Sequence, residues 1–215
     1  MIVRRGSAVS SLDAMRRKAN LKNRQQALDV SGVGLPFATG RGPCLGSGMA
    51  LSHELAAALV PELIANDLTV SVAESLTGGL VMAALTQVPG ASACVRGGIV
   101  AYATDLKARL LEVDGKLLAR AGPVDPEVAA QMAQGVARLC GADLGLATTG
   151  VAGPAELNGV PVGTVYVAAH NQRTGRTTVR ALEMPGDRDK IRVDSVTEVL
   201  GLARVVVKDH SLERE

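Results

Sequence analysis

Short apolar runs alternate with longer amphipathic stretches along the chain from about residue 49 onward. Apolar runs bounded by turn residues are typical of strands, and longer segments with a helical period are typical of helices. The predicted strands cover residues 68–73, 98–102, 143–149, 163–170 and 176–184, of which the last two predict a hairpin. The predicted helices cover residues 52–66, 76–87, a segment from 104, 126–140 and 188–208. This order predicts an α/β fold, a three-layer α/β/α arrangement with a mixed, mostly parallel sheet.

Four polar residues are predicted to begin helices as N-caps: Ser52, Thr104, Asp125 and Asp187. The clearest signal is at Asp125, which precedes a proline at the first helical position and an acidic residue near the positive end of the helix dipole. Pro61 is predicted to bend the first helix, because proline removes a backbone hydrogen bond there.

Charge and composition divide the chain into three segments. Residues 1–48 carry a net charge of +6 and end in a glycine-rich stretch, so we expect a poorly ordered basic extension. Two explanations fit this segment: a start codon assigned too far upstream, or an Arg-rich targeting segment of the mitochondrial type. Residues 49–208 form the predicted α/β domain, and residues 209–215 form a charged tail.

The composition argues against several classes of function. Residues 49–215 carry a net charge of −4, and the whole chain has no Trp, one Phe and two Tyr. We therefore expect neither a basic nucleic-acid footprint nor an aromatic platform for single strands. No apolar run reaches bilayer-spanning length, so no membrane association is expected. The three cysteines are scattered without metal-ligand spacing, which predicts a reduced, cytoplasmic protein with no metal site.

Three polar turns follow predicted strands and are candidates for chemistry. Ligands in open α/β sheets bind at the carboxyl ends of strands, so these turns can converge on one cleft. The first turn, residues 73–79, places Ser75 at the predicted start of a helix, followed by Gly78 and Gly79. Ser75 is there either a simple N-cap or a nucleophile beside backbone N–H groups that bind an anion or an oxyanion.

The second and third turns add a lysine and a glycine-rich loop. Tyr102 ends a predicted strand, and Lys107 falls in the first turn of the next helix, where the helix dipole and burial would lower its pKa. Lys107 is therefore either a neutral amine that acts as a base or a solvated surface lysine. The third turn, residues 149–154 with its continuation to 164, is either a phosphate-binding loop or an ordinary turn.

The histidines do not suggest a catalytic triad. His53, His170 and His210 lie in unrelated sequence contexts: the first helix, a strand end and the tail. A Ser–Lys mechanism is therefore better supported by the sequence than a Ser–His–Asp mechanism.

Taken together and in this order, the motifs resemble the CinA C-terminal domain family, whose stand-alone members include nicotinamide-nucleotide amidohydrolases. The matching stretches are residues 72–79, 88–92, 102 with 107, 149–154, 161–165 and 186–188. The resemblance covers nearly everything from Met49 to about Arg204. One departure is Leu76, where the family commonly has Cys, and the backbone N–H at that position is unaffected by the side chain.

The resemblance implies hydrolysis of the carboxamide of nicotinamide mononucleotide to nicotinate mononucleotide and ammonia, without a cofactor, in pyridine nucleotide recycling. Ser75 occupies the position of the family's nucleophile and Lys107 that of its activating base. Tyr102 and Thr149 match supporting positions, from which Thr149 would hydrogen-bond the Ser–Lys pair and Tyr102 would contact the pyridine ring or the lysine. The implied substrate-binding residues are Thr77, Gly78, Gly79, Gly150, Gly153 and Arg188.

Two other functions stay open: a catalytically silent nucleotide-binding protein associated with competence, and an amidase for another small carboxamide. The resemblance also implies a homodimer or higher homo-oligomer. It does not extend to the N-terminal, molybdopterin-related domain of larger family members, because residues 1–48 are too short for that domain.

Overall fold

The computed structural model describes residues 47–212, so the extension predicted over residues 1–48 lies outside the described residues except for its last two positions. The elements in chain order are α1 (Ser47–Ala65), β1 (Val70–Glu74), α2 (Leu80–Thr86), a 3₁₀ turn (Ala91–Ala93), β2 (Val95–Val100), α3 (Thr104–Leu111), α4 (Gly115–Ala121), α5 (Pro126–Cys140), β3 (Leu144–Gly150), β4 (Thr164–Asn171), β5 (Arg176–Glu183) and α6 (Arg188–Leu212).

The five strands form one sheet in the order β2-β1-β3-β4-β5. Strand β1 is parallel to both β2 and β3, so Ala73 lies opposite Ile99 on one side and Ala147 on the other. Strand β4 is antiparallel to β3 and β5, and β4 and β5 form the predicted hairpin. Four strands therefore run in one direction and β4 in the other, which confirms the mixed, mostly parallel sheet.

Helices cover both faces of the sheet. On one face, α1, α2 and α6 bury an aliphatic core against the sheet, with Leu59 and Leu200 fully buried. On the other face, α3, α4 and α5 bury a second core around Ala147 and Met132. Because both faces are covered, all five residues of β1 are buried, including the polar Ser71 and Glu74. The three-layer α/β/α prediction is confirmed.

Two glycines bring α5 unusually close to its neighbours. A Cβ on Gly145 of β3 would lie 1.9 Å from the carbonyl oxygen of Ala133, and a Cβ on Gly135 would lie 2.0 Å from the carbonyl oxygen of Leu111. Neither distance is compatible with a real side chain, so the backbones touch because both side chains are absent. The second contact holds the end of α3 against α5, and α3 is the helix that carries Lys107.

Two of the predicted helix starts are confirmed. The Asp125 carboxylate accepts a hydrogen bond from the Glu127 N–H at 2.8 Å. The Asp187 carboxylate accepts one from the Lys190 N–H at 2.9 Å. Each carboxylate satisfies a backbone donor that the first helical turn leaves without a partner.

Two predicted caps are wrong. Helix α1 begins at Ser47, so Ser52 lies inside it, where the Ser52 hydroxyl pairs with the Thr197 hydroxyl of α6 at 2.8 Å. Thr104 is the first residue of α3, and Ala103 holds the N-cap position. The Ser52 hydroxyl is thus used to join two helices, and the cap before α3 lies one position earlier than predicted.

Three other boundaries also differ from the prediction. Helix α2 begins at Leu80 instead of Leu76, and α4 is an additional helix that the sequence pattern does not predict. Residues 209–212, assigned to a charged tail, form the last turn of α6. Pro61 lies inside α1, and the bend expected there stays a prediction.

Within residues 47–212, none of the helices combines the length and apolar character that a bilayer crossing requires. Over the same residues, no cluster of His, Cys, Asp and Glu side chains is arranged to hold a metal ion.

Candidate active site

A cavity of about 340 Å³ lies beyond the carboxyl ends of the three parallel strands β1, β2 and β3. Its walls come from the turn after β1, from the segment between β2 and α3, from residues 149–157 after β3, and from Arg188 at the start of α6. The three turns that are candidates from the sequence therefore meet at one edge of the sheet, as expected for an open α/β sheet. None of the three histidines lines this cavity.

Ser75 and Lys107, 32 positions apart in sequence, meet in the cavity wall. The Lys107 Nζ lies 3.0 Å from the Ser75 Oγ and donates a second hydrogen bond to the Ala101 carbonyl oxygen at 2.7 Å. The Lys107 side chain is only 1% exposed, and no ion pair involves it among the described residues. Burial without a counterion disfavours the ammonium form and lowers the pKa of Lys107 from 10.5 to about 8. The solvated-lysine interpretation is therefore wrong.

Ser75 is not a helix N-cap. Helix α2 begins five residues later, and its N-cap position is held by Gly79, whose φ of +101° lies in the left-handed region. The Ser75 backbone N–H donates to the Thr148 carbonyl oxygen at 3.0 Å, and the Ser75 carbonyl oxygen accepts from the Gly78 N–H. Ser75 therefore lies in a tight turn between strand and helix, with its hydroxyl directed to Lys107.

The positive end of α2 is occupied by Glu74, a residue to which the sequence pattern assigns no role. Glu74 is 1% exposed, and its carboxylate accepts hydrogen bonds from the N–H groups of Gly79, Val81 and Met82 at 2.8 to 3.2 Å. A carboxylate at a helix N-terminus is stabilised by the dipole and by these unpaired donors. The expectation that this helix end is open to a ligand anion is therefore wrong. The available signal is an acidic residue at the end of a buried strand in which Val70, Val72 and Ala73 are apolar.

Thr149 lines the cavity but does not bond to Ser75 or Lys107. Its side chain is fully buried, and its hydroxyl donates to the Pro123 carbonyl oxygen at 2.7 Å. This bond ties the end of β3 to the segment before α5, so the expected hydrogen bond to the Ser–Lys pair is wrong. Gly150 and Gly153, which are predicted to bind substrate, also line the cavity.

Arg188 and Tyr102 meet at the solvent side of the cavity. The Arg188 Nη1 donates to the Gly153 carbonyl oxygen at 2.6 Å, and its Nη2 donates to the Tyr102 hydroxyl at 3.1 Å. Both side chains line the cavity, and Tyr102 is 61% exposed. Among the described residues, the hydrogen-bond partner of the Tyr102 hydroxyl is therefore Arg188, and the expected contact between Tyr102 and Lys107 is absent.

Three residues predicted to bind substrate lie away from the cavity. Thr77 is fully buried and pairs its hydroxyl with that of Thr148 at 2.8 Å. Gly79 caps α2, and Gly78 is on the exposed side of the turn with a φ of +59°. All three shape the turn that carries Ser75, and none lines the cavity.

The sequence matches the family model of the CinA C-terminal domain over residues 52–207. It is 44% identical over 171 residues to a CinA-like protein of Frankia casuarinae, an alignment that covers 79% of this chain and 39% of that protein. It is 48% identical over 125 residues to a putative competence-damage inducible protein of a Geobacillus species, covering 58% of this chain and 30% of that protein. The chain therefore spans less than half the length of these relatives.

Solved structures of similar proteins align with this chain over almost their whole length. The competence/damage-inducible protein CihA from Agrobacterium tumefaciens has a TM-score of 0.70 and 34% sequence identity, covering 74% of this chain and 96% of that one. A competence-damaged protein (CinA) superfamily member from Klebsiella pneumoniae has a TM-score of 0.71 and 28% identity, covering 74% and 98%. The likeness extends over the described α/β fold.

Proposed function

Because the chain belongs to the CinA C-terminal domain family, we propose that it is an amidohydrolase that converts nicotinamide mononucleotide to nicotinate mononucleotide and ammonia. The observation that carries this proposal is the 3.0 Å contact between the Ser75 Oγ and the buried Lys107 Nζ in the cavity wall. A hydroxyl in contact with an amine of lowered pKa is the arrangement that a Ser–Lys nucleophile requires.

The hydrogen bonds of Lys107 suit the role of a base. In the neutral state the amine has two hydrogens and one lone pair. One hydrogen donates to the Ala101 carbonyl oxygen, which leaves the lone pair free to accept the Ser75 hydroxyl proton. The Ala101 bond therefore fixes the amine in the orientation that proton transfer from Ser75 needs.

The reaction divides into acylation and deacylation. Ser75 Oγ attacks the carboxamide carbon while Lys107 takes its proton, which gives a tetrahedral intermediate with a negatively charged oxygen. The carbon–nitrogen bond then breaks, and Lys107 returns the proton to the departing ammonia. In the second half, Lys107 takes a proton from water as the hydroxide attacks the acyl ester, and the carboxylate leaves as Ser75 regains its proton.

The oxyanion needs a donor, and the backbone N–H of Leu76 is suited to that role because Leu76 lines the cavity and Thr77 does not. The Ser75 N–H is already bonded to the Thr148 carbonyl. Leu76 lines the cavity, and within residues 47–212 the N–H groups of Leu76 and Thr77 have no hydrogen-bond acceptor. In other hydrolases, removal of one such donor costs about 3 kcal/mol of transition-state stabilisation.

The outer part of the cavity suits an anionic substrate. Arg188 places an exposed guanidinium at the opening, and a guanidinium can bind a phosphate through two parallel hydrogen bonds. Gly150 and Gly153 line the cavity, but a Cβ on Gly150 would meet the Thr164 carbonyl oxygen and one on Gly153 would meet Val162, so both glycines are required by packing. The guanidinium of Arg188 therefore supports a phosphate-bearing carboxamide as the substrate.

The test is ammonia release by the purified chain from nicotinamide mononucleotide. In Ser75→Ala, we expect kcat to fall by more than about a thousandfold, because no other described hydroxyl contacts Lys107. The matched control is Ser92→Ala, an exposed serine of the 3₁₀ turn, which should leave the rate unchanged.

The same assay separates the alternatives. Binding of the nucleotide in a calorimetric titration without ammonia release would favour a catalytically silent nucleotide-binding protein. Ammonia release from nicotinamide or its riboside, but none from the phosphorylated nucleotide, would indicate an amidase for another small carboxamide. Release from none of these compounds would contradict the proposed reaction.

A further inference from the structure

An arginine of the last helix holds the turn that presents Ser75. Arg192 of α6 donates from its Nε to the Leu76 carbonyl oxygen and from its Nη2 to the Thr77 carbonyl oxygen, each at 3.0 Å. These are the two residues that directly follow Ser75. The Arg192 side chain is 26% exposed, and its nearest carboxylate, on Asp189, is 3.9 Å away and almost fully exposed. The guanidinium is therefore committed to the turn instead of to an ion pair.

Nearly all backbone N–H and carbonyl groups of the turn after β1 have a hydrogen-bond partner. The Ser75 carbonyl accepts from the Gly78 N–H, and Arg192 satisfies the next two carbonyls. On the donor side, the Ser75 N–H is bonded to Thr148, and the Gly79 N–H is bonded to the Glu74 carboxylate. In the part of the chain that the structure describes, only the N–H groups of Leu76 and Thr77 in this turn are left without an acceptor.

The geometry of the peptide bond links Arg192 to one of these donors. The Leu76 carbonyl and the Thr77 N–H belong to one planar peptide unit, in which they point in opposite directions. A cation bonded to the carbonyl fixes the plane of the unit and increases the partial positive charge on its N–H. Because Thr77 lies outside the cavity lining, the effect on the oxyanion passes through Leu76, which Arg192 holds by its carbonyl oxygen without touching any group that reacts.

We propose that Arg192 is a positioning residue, which holds Leu76 and the turn after Ser75 so that the Leu76 N–H in the cavity wall stabilises the oxyanion. The inference rests on the proposed role of Ser75 as the nucleophile. It adds a specific function for a residue of α6 that lies 117 positions from Ser75 and outside the cavity lining.

The test compares Arg192→Met and Arg192→Lys with a control on the same helix, Arg204→Met. Arg204 is as exposed as Arg192, but its Nε donates to the Glu62 carboxylate of α1 at 2.9 Å instead of to the turn after Ser75. We expect Arg192→Met to lower kcat about 10- to 100-fold with little change in KM, since the oxyanion forms only in the transition state. Arg192→Lys should restore part of the rate, and Arg204→Met should leave kcat unchanged.

A second measurement separates this inference from the choice of substrate. An alkyl fluorophosphonate reacts with an activated serine: the Ser75 Oγ–phosphorus bond forms, the phosphorus–fluorine bond breaks, fluoride leaves, and Lys107 takes the proton. Its phosphoryl oxygen needs the same donor as the oxyanion. Mass spectrometry of the Ser75 peptide gives the labelling rate for each variant, and we expect the rate to fall about tenfold or more in Arg192→Met alone.

The outcomes separate two proposals: the positioning role of Arg192 and the role of Ser75 as the nucleophile. Slower labelling in Arg192→Met than in Arg204→Met supports the positioning role even if nicotinamide mononucleotide is not hydrolysed. Equal labelling and equal kcat in both variants would overturn the positioning role and leave Ser75 as the nucleophile. An unlabelled Ser75 in the wild-type chain would overturn both.

Discussion

At the scale of single residues, the protonation of Lys107 sets the pH range of the proposed reaction. Only the neutral amine accepts the Ser75 proton, and burial lowers the pKa of Lys107 to about 8. We therefore expect kcat/KM for nicotinamide mononucleotide to rise about tenfold per pH unit below pH 8 and to level off above it. Ammonia release measured from about pH 6 to pH 10 gives the profile. A profile that is flat across this range would contradict the role of Lys107 as the base.

An independent control on this pKa is the pH dependence of stability. The folded chain releases the Lys107 proton near pH 8, whereas the unfolded chain keeps it up to about pH 10.5. Between these values the unfolded state binds more protons, so the free energy of unfolding rises with pH. Relative to Lys107→Met, the wild-type chain should gain about 3 kcal/mol across this window. Urea unfolding of both variants measures the difference.

Whether the role of a site residue can be predicted from the sequence depends on how far along the chain its contact partner lies. The resemblance identifies Ser75 and Lys107, but the residue pattern alone leaves each of them open, because only the parallel pairing of β1 and β2 joins their turns. The contacts of Thr149 and Arg192 cannot be read from the sequence, since their partners lie 26 and about 115 positions away. Local signals such as the Asp125 cap are predictable because donor and acceptor are near neighbours.

At the scale of elements, the errors follow from tertiary contacts that replace local rules. The sequence predicts that helix α2 starts at Ser75 or Leu76, yet its free N–H groups are satisfied by Glu74, which reaches across from the strand. Helix α4 is not predicted although it has a local start signal, the Asp114 carboxylate that accepts a hydrogen bond from the Lys116 N–H. The hairpin of β4 and β5 is predictable, since adjacent strands joined by a short turn need no long-range information.

The close contact between α3 and α5 predicts that one methyl group added at Gly135 destabilises the fold. Gly135→Ala places a Cβ 2.0 Å from the Leu111 carbonyl oxygen, so the two helices must separate. We expect a loss of about 1–3 kcal/mol in the free energy of unfolding, as for other overpacked sites.

Gly201→Ala is the matched control. Gly201 lies in the interior of α6, and a methyl group added there would meet no atom within 4 Å outside the adjacent backbone of its own helix, so alanine should stabilise by about 0.5–1 kcal/mol. Thermal unfolding of both variants checks the pair. Equal effects would show that backbone separation at Gly135 costs little.

At the scale of the whole molecule, the alternation of strands and helices predicts three layers, but not the order of strands. Nothing local in the sequence tells that β1 lies between β2 and β3, which is what brings the turns after β1, β2 and β3 to one cavity. Both β1 and β3 are buried along almost their whole length, but they contain the polar residues Ser71, Thr148 and Thr149, so their composition does not mark them as central strands. The sequence pattern therefore restricts the class of fold. The location of the site depends on the order of the strands, which the pattern does not give.

Helix α1, the first described helix, is needed for the α/β domain to fold. Its residues Leu59 and Leu63 are fully buried in the core beneath α6, and Glu62 forms an ion pair with Arg204. Each such leucine contributes about 1.5–3 kcal/mol, so loss of the whole helix removes stability comparable to the total of about 5–15 kcal/mol of an ordinary domain. A variant that begins at Asp67 should therefore show no cooperative unfolding transition.

A variant that begins at Ser47 tests the opposite expectation. It keeps α1 and every contact described between residues 47 and 212, so we expect the melting temperature and the rate of ammonia release of the full chain. This outcome would support residues 49–208 as the catalytic domain. A folded but inactive variant would instead assign a part of the reaction or of substrate binding to residues 1–46, and a lower melting temperature would assign them a structural contribution.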